Sequence, residues 1–168
     1  MENTRKSLQK HYNHITKQSV LTVVRVCSRI GSTGGERVDL QKLISQDEHF
    51  LWMQGEAFET LSNCFDVEAE QLHPGTSCRN EKRFGYLLQG CGKIQSVNGT
   101  SEVQAGALIG VIPGGIRGHQ WSDDVFTAES ESVVLWFQRD ALEFACYRGC
   151  WFHARLIREI QTLLGNEP

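Results

Sequence analysis

The sequence lacks the features of a membrane-spanning or an exported protein. It contains no run of about 18 apolar residues, which excludes a transmembrane helix. The first six residues, Met1 to Lys6, include no apolar stretch of a secretory signal. The chain of 168 residues is 40% hydrophobic and is therefore long enough to bury one good core. We expect a soluble, cytoplasmic protein with no membrane partner.

Closely paired cysteines are also missing. No Cys-x-x-Cys pair occurs among the six cysteines, which are Cys27, Cys64, Cys78, Cys91, Cys146 and Cys150. In a chain without an export signal, such thiols are expected to be reduced and packed rather than bridged. Cys146 and Cys150 lie four residues apart, but two thiolates alone do not hold zinc. The sequence therefore predicts no structural metal and no cofactor.

Positive charge is concentrated at the start of the chain. Residues 1–37 contain seven Lys or Arg and two Glu, so they carry a net charge of +5 within a total of -3. A basic arm on an acidic body is compatible with nucleic-acid binding, although no binding motif accompanies these charges. We expect a solvated arm, and nucleic acid remains the alternative partner.

The beginning of the chain predicts helices. Four apolar residues recur at helical spacing before Gly31, namely Val20, Val23, Val24 and Cys27. Their β-branched side chains leave a strand as the alternative. A second, short helix is expected to end near Gln46. We therefore divide the chain into a basic N-terminal helical segment, residues 1–47, and a second domain, residues 48–168.

Short strands with glycine-containing turns follow. Phe65, Val67 and Ala69 alternate with acidic residues, which is typical of a half-exposed strand. Further strands and turns are predicted at Pro74-Gly75, Phe84–Leu88, Lys93–Val97, Asn98-Gly99 and Val133–Phe137. A helix is expected to begin at Asp140, and a final helix to end at Gly165. This order predicts an α+β fold, an antiparallel β jelly roll or barrel with N-terminal helices and C-terminal helices.

Four stretches resemble the cyclic-nucleotide-binding-like domains, the jelly-roll sensors of Crp/Fnr regulators, kinase regulatory subunits and some exporters. These stretches are Phe50–Leu61, the Pro-Gly turn Leu72–Thr76, the strand pair Tyr86–Ile94, and Gln104–Gly110 before the phosphate-binding loop. The resemblance implies a non-catalytic regulatory sensor or adaptor. Such a domain responds to a ligand or a partner by moving its C-terminal helix, which is also the homodimer contact in many relatives.

The residues that clasp the nucleotide in that family are not found at their positions. Family members follow the loop glycine with a glutamate for the ribose, and later place an arginine on the cyclic phosphate. Gly110 matches the glycine, but Val111 occupies the glutamate position and Ser122 or Asp123 the arginine position. A carboxylate there repels phosphate. The sequence therefore predicts that cyclic AMP and cyclic GMP are not bound in the usual way.

The loop still offers groups for a small anionic ligand. The candidate ligand-binding residues are Gly110, Gly114, Gly115, Arg117 and His119. Glycine N–H groups approach an anion closely, and Arg117 supplies a positive charge from a different position. A true cyclic-nucleotide sensor using Arg117 is thus one alternative, and a solvated loop without a ligand is another.

A cupin-like, metal-dependent jelly-roll enzyme is a further alternative. Gly106, Pro113, Gly115 and His119 lie close to the spacing of the second cupin motif. The first motif requires two histidines and a glutamate, whereas His73 stands alone. A single imidazole does not hold a catalytic metal. We therefore assign no catalytic residue and no metal ligand.

The last helix is expected to transmit the regulatory response. Its apolar positions are Trp151, Leu156, Ile157, Ile160, Leu163 and Leu164. Such a stripe docks on the domain or pairs with another chain. Transcriptional relatives continue into a winged helix, whereas this sequence ends at Pro168. We expect action through a second copy, through another polypeptide, or through residues 1–47.

Overall fold

The computed structural model describes residues 39–112, 121–140 and 150–165, together with the backbone of residues 24–26. The helices of these residues are α1 (Leu40–Gln46), α2 (Glu56–Phe65) and α3 (Trp151–Leu163). The strands are β1 (Val24–Val26), β2 (Glu68–Leu72), β3 (Ser77–Arg79), β4 (Arg83–Gln89), β5 (Cys91–Ser96), β6 (Gly99–Gln104), β7 (Leu108–Ile109), β8 (Val125–Ala128) and β9 (Ser132–Gln138). Among the described helices, none has the length and apolar character that crossing a membrane requires.

The strands form two sheets that pack against each other. One sheet has the order β1-β2-β9-β4-β7, and the other has the order β3-β8-β5-β6. The strand pairings are antiparallel except for β1 with β2. The predicted α+β jelly-roll fold is confirmed, in the form of two facing sheets rather than a closed barrel.

The central strands β4 and β9 of the five-stranded sheet are buried on both faces. Successive side chains of a strand point to opposite faces, so Phe84, Tyr86 and Leu88 of β4 lie on one face and Leu87 on the other. The first three belong to the core shared with the helices. Leu87 belongs to a second core, shared with Phe126 of the four-stranded sheet. This double burial explains why β4 and β9 are nearly continuous apolar runs.

Helix α1 contributes side chains to the core on the helix-facing side of the five-stranded sheet. The Asp39 carboxylate caps the helix by accepting the Lys42 N–H at 3.1 Å. Leu40 and Ile44 are buried in the core that also contains β4. Residues before and after position 47 therefore share one core. The division of the chain into two domains after residue 47 stays a prediction.

The prediction of an N-terminal helix before Gly31 is wrong at Val24–Val26. These residues form β1, which pairs in parallel with β2 in the register Val24 to Ala69. Two of its three residues are valines, whose branched side chains favour extended backbone, and an edge of the sheet is available for pairing. The rest of the predicted helix lies outside the described residues, as do residues 141–149 of the helix expected from Asp140.

Three side chains expected to be packed are exposed. Trp151 is 63% exposed because it lies two residues before His153, on the opposite side of α3 from the buried positions. Cys64 and Cys91 are likewise exposed. The buried face of α3 comprises His153, Leu156 and Ile160.

The sequence predicted strands β4, β5 and β9 and did not predict β3, β6 and β8. Strands β4 and β9 match their predictions, and β5 begins two residues earlier than predicted, at Cys91. The hairpin turn lies at Val97–Asn98, directly before Gly99, whose φ is 126°. The missed strand β6 is exposed at every position except the half-buried Val103, so it lacks a clear apolar alternation.

Gly85 provides the space that the Trp136 ring occupies between the sheets. A Cβ at position 85 would lie 2.6 Å from Trp136 Cζ3 and 3.0 Å from Val134 Cγ1. We expect Gly85→Ala to lower the free energy of unfolding by about 1–3 kcal/mol through overpacking, as measured by urea denaturation. The same change in a Trp136→Leu background is expected to cost less. An equal cost in both backgrounds would contradict this contact.

Candidate functional site

The predicted ligand loop, residues 113–120, is bounded by two stretches that pair with each other. Val111 and Trp121 form an antiparallel bridge. The Ser122 N–H donates to the Gly110 carbonyl oxygen at 3.2 Å. We call these four residues, Gly110, Val111, Trp121 and Ser122, the loop stem.

A buried polar network fastens the loop stem to the turn before β4. Asp124, which is 5% exposed, accepts the Gly110 N–H through Oδ2 at 2.8 Å. The fully buried Asn80 donates from Nδ2 to the Ser122 carbonyl oxygen at 2.8 Å and accepts the Asp124 N–H at 3.1 Å. Hydrogen bonds to charged and amide side chains thus satisfy backbone groups that the irregular chain leaves unpaired.

Position 110 requires glycine for two reasons. Its φ of 81° lies in the left-handed region, which is costly for residues with a Cβ. A Cβ at this position would also collide with the Asn80 side-chain amide. The glycine that matches the phosphate-loop pattern is therefore used here for close packing of the loop stem.

A guanidinium group from a later part of the chain lies beside the loop stem. Arg139, after the end of β9, donates from Nη2 to the Ser122 carbonyl oxygen at 2.6 Å and from Nε to the Arg83 carbonyl oxygen at 2.9 Å. Its Nη1 lies 3.8 Å from Asp123 Oδ1, and its Cζ lies 5.2 Å from the centre of the Trp121 ring. No sequence motif indicated Arg139, because only the sheet brings it to the loop stem.

One of the five predicted ligand-binding residues, Gly110, is described by the structure. Its N–H already donates to Asp124. Gly114, Gly115, Arg117 and His119 lie outside the described residues, and their roles stay predictions. Asp123 and Asp124 do not act as a carboxylate pair, because the Asp123 side chain is 78% exposed whereas Asp124 is buried in the network.

The space between the two sheets is filled by side chains centred on Trp136. This residue is fully buried, and its indole N–H donates to Glu70 Oε2 at 2.7 Å. The Arg83 guanidinium lies over the indole, 4.8 Å from the ring centre, and pairs with Glu68 at 3.1 Å. The other side chains of this core are Leu72, Leu87, Ile94, Ile109, Phe126, Ala128 and Val134.

An open cleft of about 600 Å³ lies outside the sandwich, between α1 and β4. At its base the Tyr86 hydroxyl donates to Asp47 Oδ2 at 2.8 Å. Burial, followed by the Asp47 carboxylate, raises the pKa of Tyr86 far above its usual range, so the hydroxyl remains a neutral donor. Asp47 Oδ1 accepts two further N–H groups, from His49 and Phe50. Asp47 therefore fixes the chain between α1 and α2.

The histidine at the first cupin position is part of a surface ion pair. His73 Nδ1 lies 2.9 Å from Glu131 Oε1, and both side chains are 55% exposed. Within residues 39–112, 121–140 and 150–165, no three metal-ligating side chains come together. The other histidine of the cupin alternative, His119, lies outside this part of the chain.

No protein-family model and no curated protein matches the chain. A crystal structure from Geobacter metallireducens GS-15, of a protein named for cyclic nucleotide binding, is similar with a TM-score of 0.53 and 15% identity. The alignment covers 76% of this chain and 96% of that chain. The two chains therefore share a fold, which is the cyclic-nucleotide-binding-like jelly roll.

Two further crystal structures are more distant. The sensor domain of the transcriptional regulator DNR from Pseudomonas aeruginosa is 16% identical, over 74% of this chain and 87% of that chain, with a TM-score of 0.45. Salicylate 1,2-dioxygenase from Pseudoaminobacter salicylatoxidans is 17% identical, over 45% of this chain and 22% of that chain, with a TM-score of 0.33. Neither likeness adds to the first.

The buried acceptor of the loop stem is open to a direct test. We expect Asp124→Ala to lower the free energy of unfolding by about 1–3 kcal/mol, because the buried Gly110 N–H loses its acceptor. Asp124→Asn keeps an acceptor oxygen and is expected to cost less. Chemical denaturation measures both changes.

The neighbouring carboxylate provides the matched control. Asp123→Ala is expected to change stability by less than about 0.5 kcal/mol, because its side chain is exposed. Formate, a small carboxylate, is expected to raise the melting temperature of Asp124→Ala but not of Asp123→Ala. Equal costs at the two positions would contradict the role of Asp124.

Proposed function

We propose that this protein is a non-catalytic regulatory sensor or adaptor that uses the cyclic-nucleotide-binding-like fold without the usual response to cyclic AMP or cyclic GMP. The observation that carries this proposal is the filled space between the two sheets. Trp136 occupies it, and the side chains of Glu70 and Arg83 hold the indole in place. A ligand entering there has to displace a fully buried aromatic ring.

The energy of that displacement supports the proposal. Exposing a buried aromatic side chain costs about 1.5–3 kcal/mol in lost apolar burial alone. Breaking the hydrogen bond from Trp136 to the Glu70 carboxylate adds about 1.5–3 kcal/mol, the range for bonds to charged groups. Gly85, which allows the indole to lie against the backbone of β4, offers a mutation that tests the same packing.

Acidic groups beside the loop stem also disfavour the binding of phosphate. Asp124 presents a buried carboxylate to the Gly110 N–H, the donor that an anionic ligand would need at this point of the loop. Val111 is 9% exposed and packs in the helix-side core, so it offers no acceptor for a ribose hydroxyl. The Arg139 guanidinium donates to two backbone carbonyl oxygens and lies near Asp123.

A surface on α3 and the segment before α2 supports action through a protein partner. Trp151 is 63% exposed. The Arg155 guanidinium lies between two indoles, 4.8 Å from the Trp52 ring and 5.3 Å from the Trp151 ring. Tryptophan and arginine are the residues most enriched among binding hot spots. We call Trp52, Trp151 and Arg155 the aromatic surface, and assign it to a second copy of the chain or to another polypeptide.

Ligand binding is tested by the melting temperature of the full chain with a panel of cyclic nucleotides, together with elemental analysis. The proposal expects no rise in melting temperature with cyclic AMP or cyclic GMP. A bound nucleotide at 100 times its Kd would add about 2.7 kcal/mol of stability, which is readily detected. Arg117→Ala is compared with Arg79→Ala, an exposed arginine on β3.

Two outcomes would overturn the proposal. A nucleotide-dependent rise that disappears in Arg117→Ala but survives in Arg79→Ala would identify a true cyclic-nucleotide sensor. A metal ion that is bound stoichiometrically and is lost in His119→Ala would identify a cupin-like enzyme. His73→Ala, at the other histidine of the cupin alternative, is the comparison.

Self-association through the aromatic surface is tested by Trp151→Ala. If a second copy is the partner, light scattering shows an oligomer for the wild type and a shift to the monomer mass for Trp151→Ala. Stability is expected to change little, because the side chain is exposed. Val97→Ala, at a side chain that is 85% exposed in the β5–β6 turn, is the control. A monomeric wild type, or an oligomer that persists in Trp151→Ala, would contradict the second copy.

A further inference from the structure

A buried histidine lies where the C-terminal helix meets α2. His153 is the third residue of α3 and is 7% exposed. Its ring contacts Phe65, the last residue of α2, edge to face, with 4.9 Å between the ring centroids and an angle of 84°. Leu156 and Ile160 continue the same buried face along α3. We call the packing of His153 against Phe65 the α2–α3 contact.

Two buried polar atoms on these helices have no hydrogen-bond partner. His153 Nε2 is buried and unpaired, and so is Oγ of Ser62, which lies three residues before Phe65 on α2. A neutral imidazole has one N–H to satisfy, whereas an imidazolium has two. Burial of an unpaired charge costs far more than burial of a neutral ring. The surroundings of His153 therefore favour its neutral form.

The charged groups of the packed elements do not offset this cost. On and after α2 they are Glu56, Glu59 and Asp66, and on α3 they are Arg155, Arg158 and Glu159. The sheet contributes apolar side chains to this core, such as Ala69 and Leu135. Desolvation alone lowers the pKa of His153, with no charged neighbour contributing among the described residues.

We propose that the α2–α3 contact is pH-sensitive, so that protonation of His153 releases the start of α3 from α2 whereas the neutral imidazole keeps it docked. This pH sensitivity does not depend on whether a cyclic nucleotide binds between the sheets. It acts on the helix that carries Trp151 and Arg155, so protonation would also change the aromatic surface.

The direction of the pH effect follows from proton linkage. An imidazole in the released helix has an ordinary pKa near 6.5, and the docked imidazole has a lower pKa. The released state therefore binds more protons as the pH falls below about 6.5. The ratio of docked to released α3 is expected to fall by up to about tenfold per pH unit, until the pH reaches the pKa of the docked form. Above about pH 7.5, both forms are neutral and the ratio is constant.

Two other histidines of the described residues provide controls. His73 lies 2.9 Å from Glu131, and His49 lies 3.9 Å from Glu159 of α3 and 3.6 Å from Glu48. Neither of them is part of the α2–α3 contact. A loss of docking at acidic pH that persists when either one is replaced therefore points to His153.

The experiment measures hydrogen exchange of the α3 amides in the full chain between pH 5.5 and 8, corrected for the intrinsic exchange rate. We expect wild-type protection to fall by several-fold below pH 6.5. His153→Leu removes the titrating group and is expected to give protection that does not change with pH. His73→Gln and His49→Gln are expected to keep the decrease. A flat wild-type profile, or an unchanged decrease in His153→Leu, would overturn the proposal.

A second measurement covers the case in which His153→Leu does not fold. The imidazole of His153 is titrated by NMR in the wild-type chain, and the amide signals of α3 are followed in the same samples. A midpoint below 6.5, with α3 signals changing at the same pH, supports the proposal. A midpoint at or above 6.5, or α3 signals that do not follow the titration, would overturn it.

Discussion

The structure depends on a five-stranded sheet that is covered on both faces. Its central strands β4 and β9 pair along their length, and their side chains enter a helix-side core on one face and an inter-sheet core on the other. Backbone groups of such strands cannot reach water, so every one has to be paired by a neighbouring strand or a side chain. Irregular segments beside this sheet therefore need buried polar side chains, and Asn80 and Asp124 serve that need at the loop stem.

The same constraint supports the proposal that the space between the sheets is not a nucleotide site. A pocket between the sheets needs small or polar side chains that leave room for a ligand. In this chain Trp136 fills that room, with its ring against Gly85 and under the Arg83 guanidinium. At the loop stem the Gly110 N–H already donates to an anionic group of the protein, the Asp124 carboxylate. Under the proposed function, contacts within the domain replace the contacts that a ligand makes in a nucleotide sensor.

Helix α3 joins the two proposals physically. Its inner face is buried, with His153 against Phe65 of α2 and with Leu156 and Ile160 in the core, whereas its outer face presents Trp151. Because a helix is rigid over a few turns, a change in packing at His153 moves the outer face as well. Under the two proposals, the domain responds to its surroundings through the protonation of one buried ring, without a bound nucleotide.

Apolar patterns in the sequence were enough to predict α1, α3 and the strands β4, β5 and β9. The sequence also predicted that the glutamate and the arginine of a nucleotide site are absent from their usual positions, which hold Val111 and either Ser122 or Asp123. The pairing of β1, the filling of the inter-sheet space by Trp136, and the meeting of Asn80, Asp124 and Arg139 depend on tertiary contacts. These contacts join residues far apart in the chain, and local patterns carry no information on which distant side chains a sheet brings together.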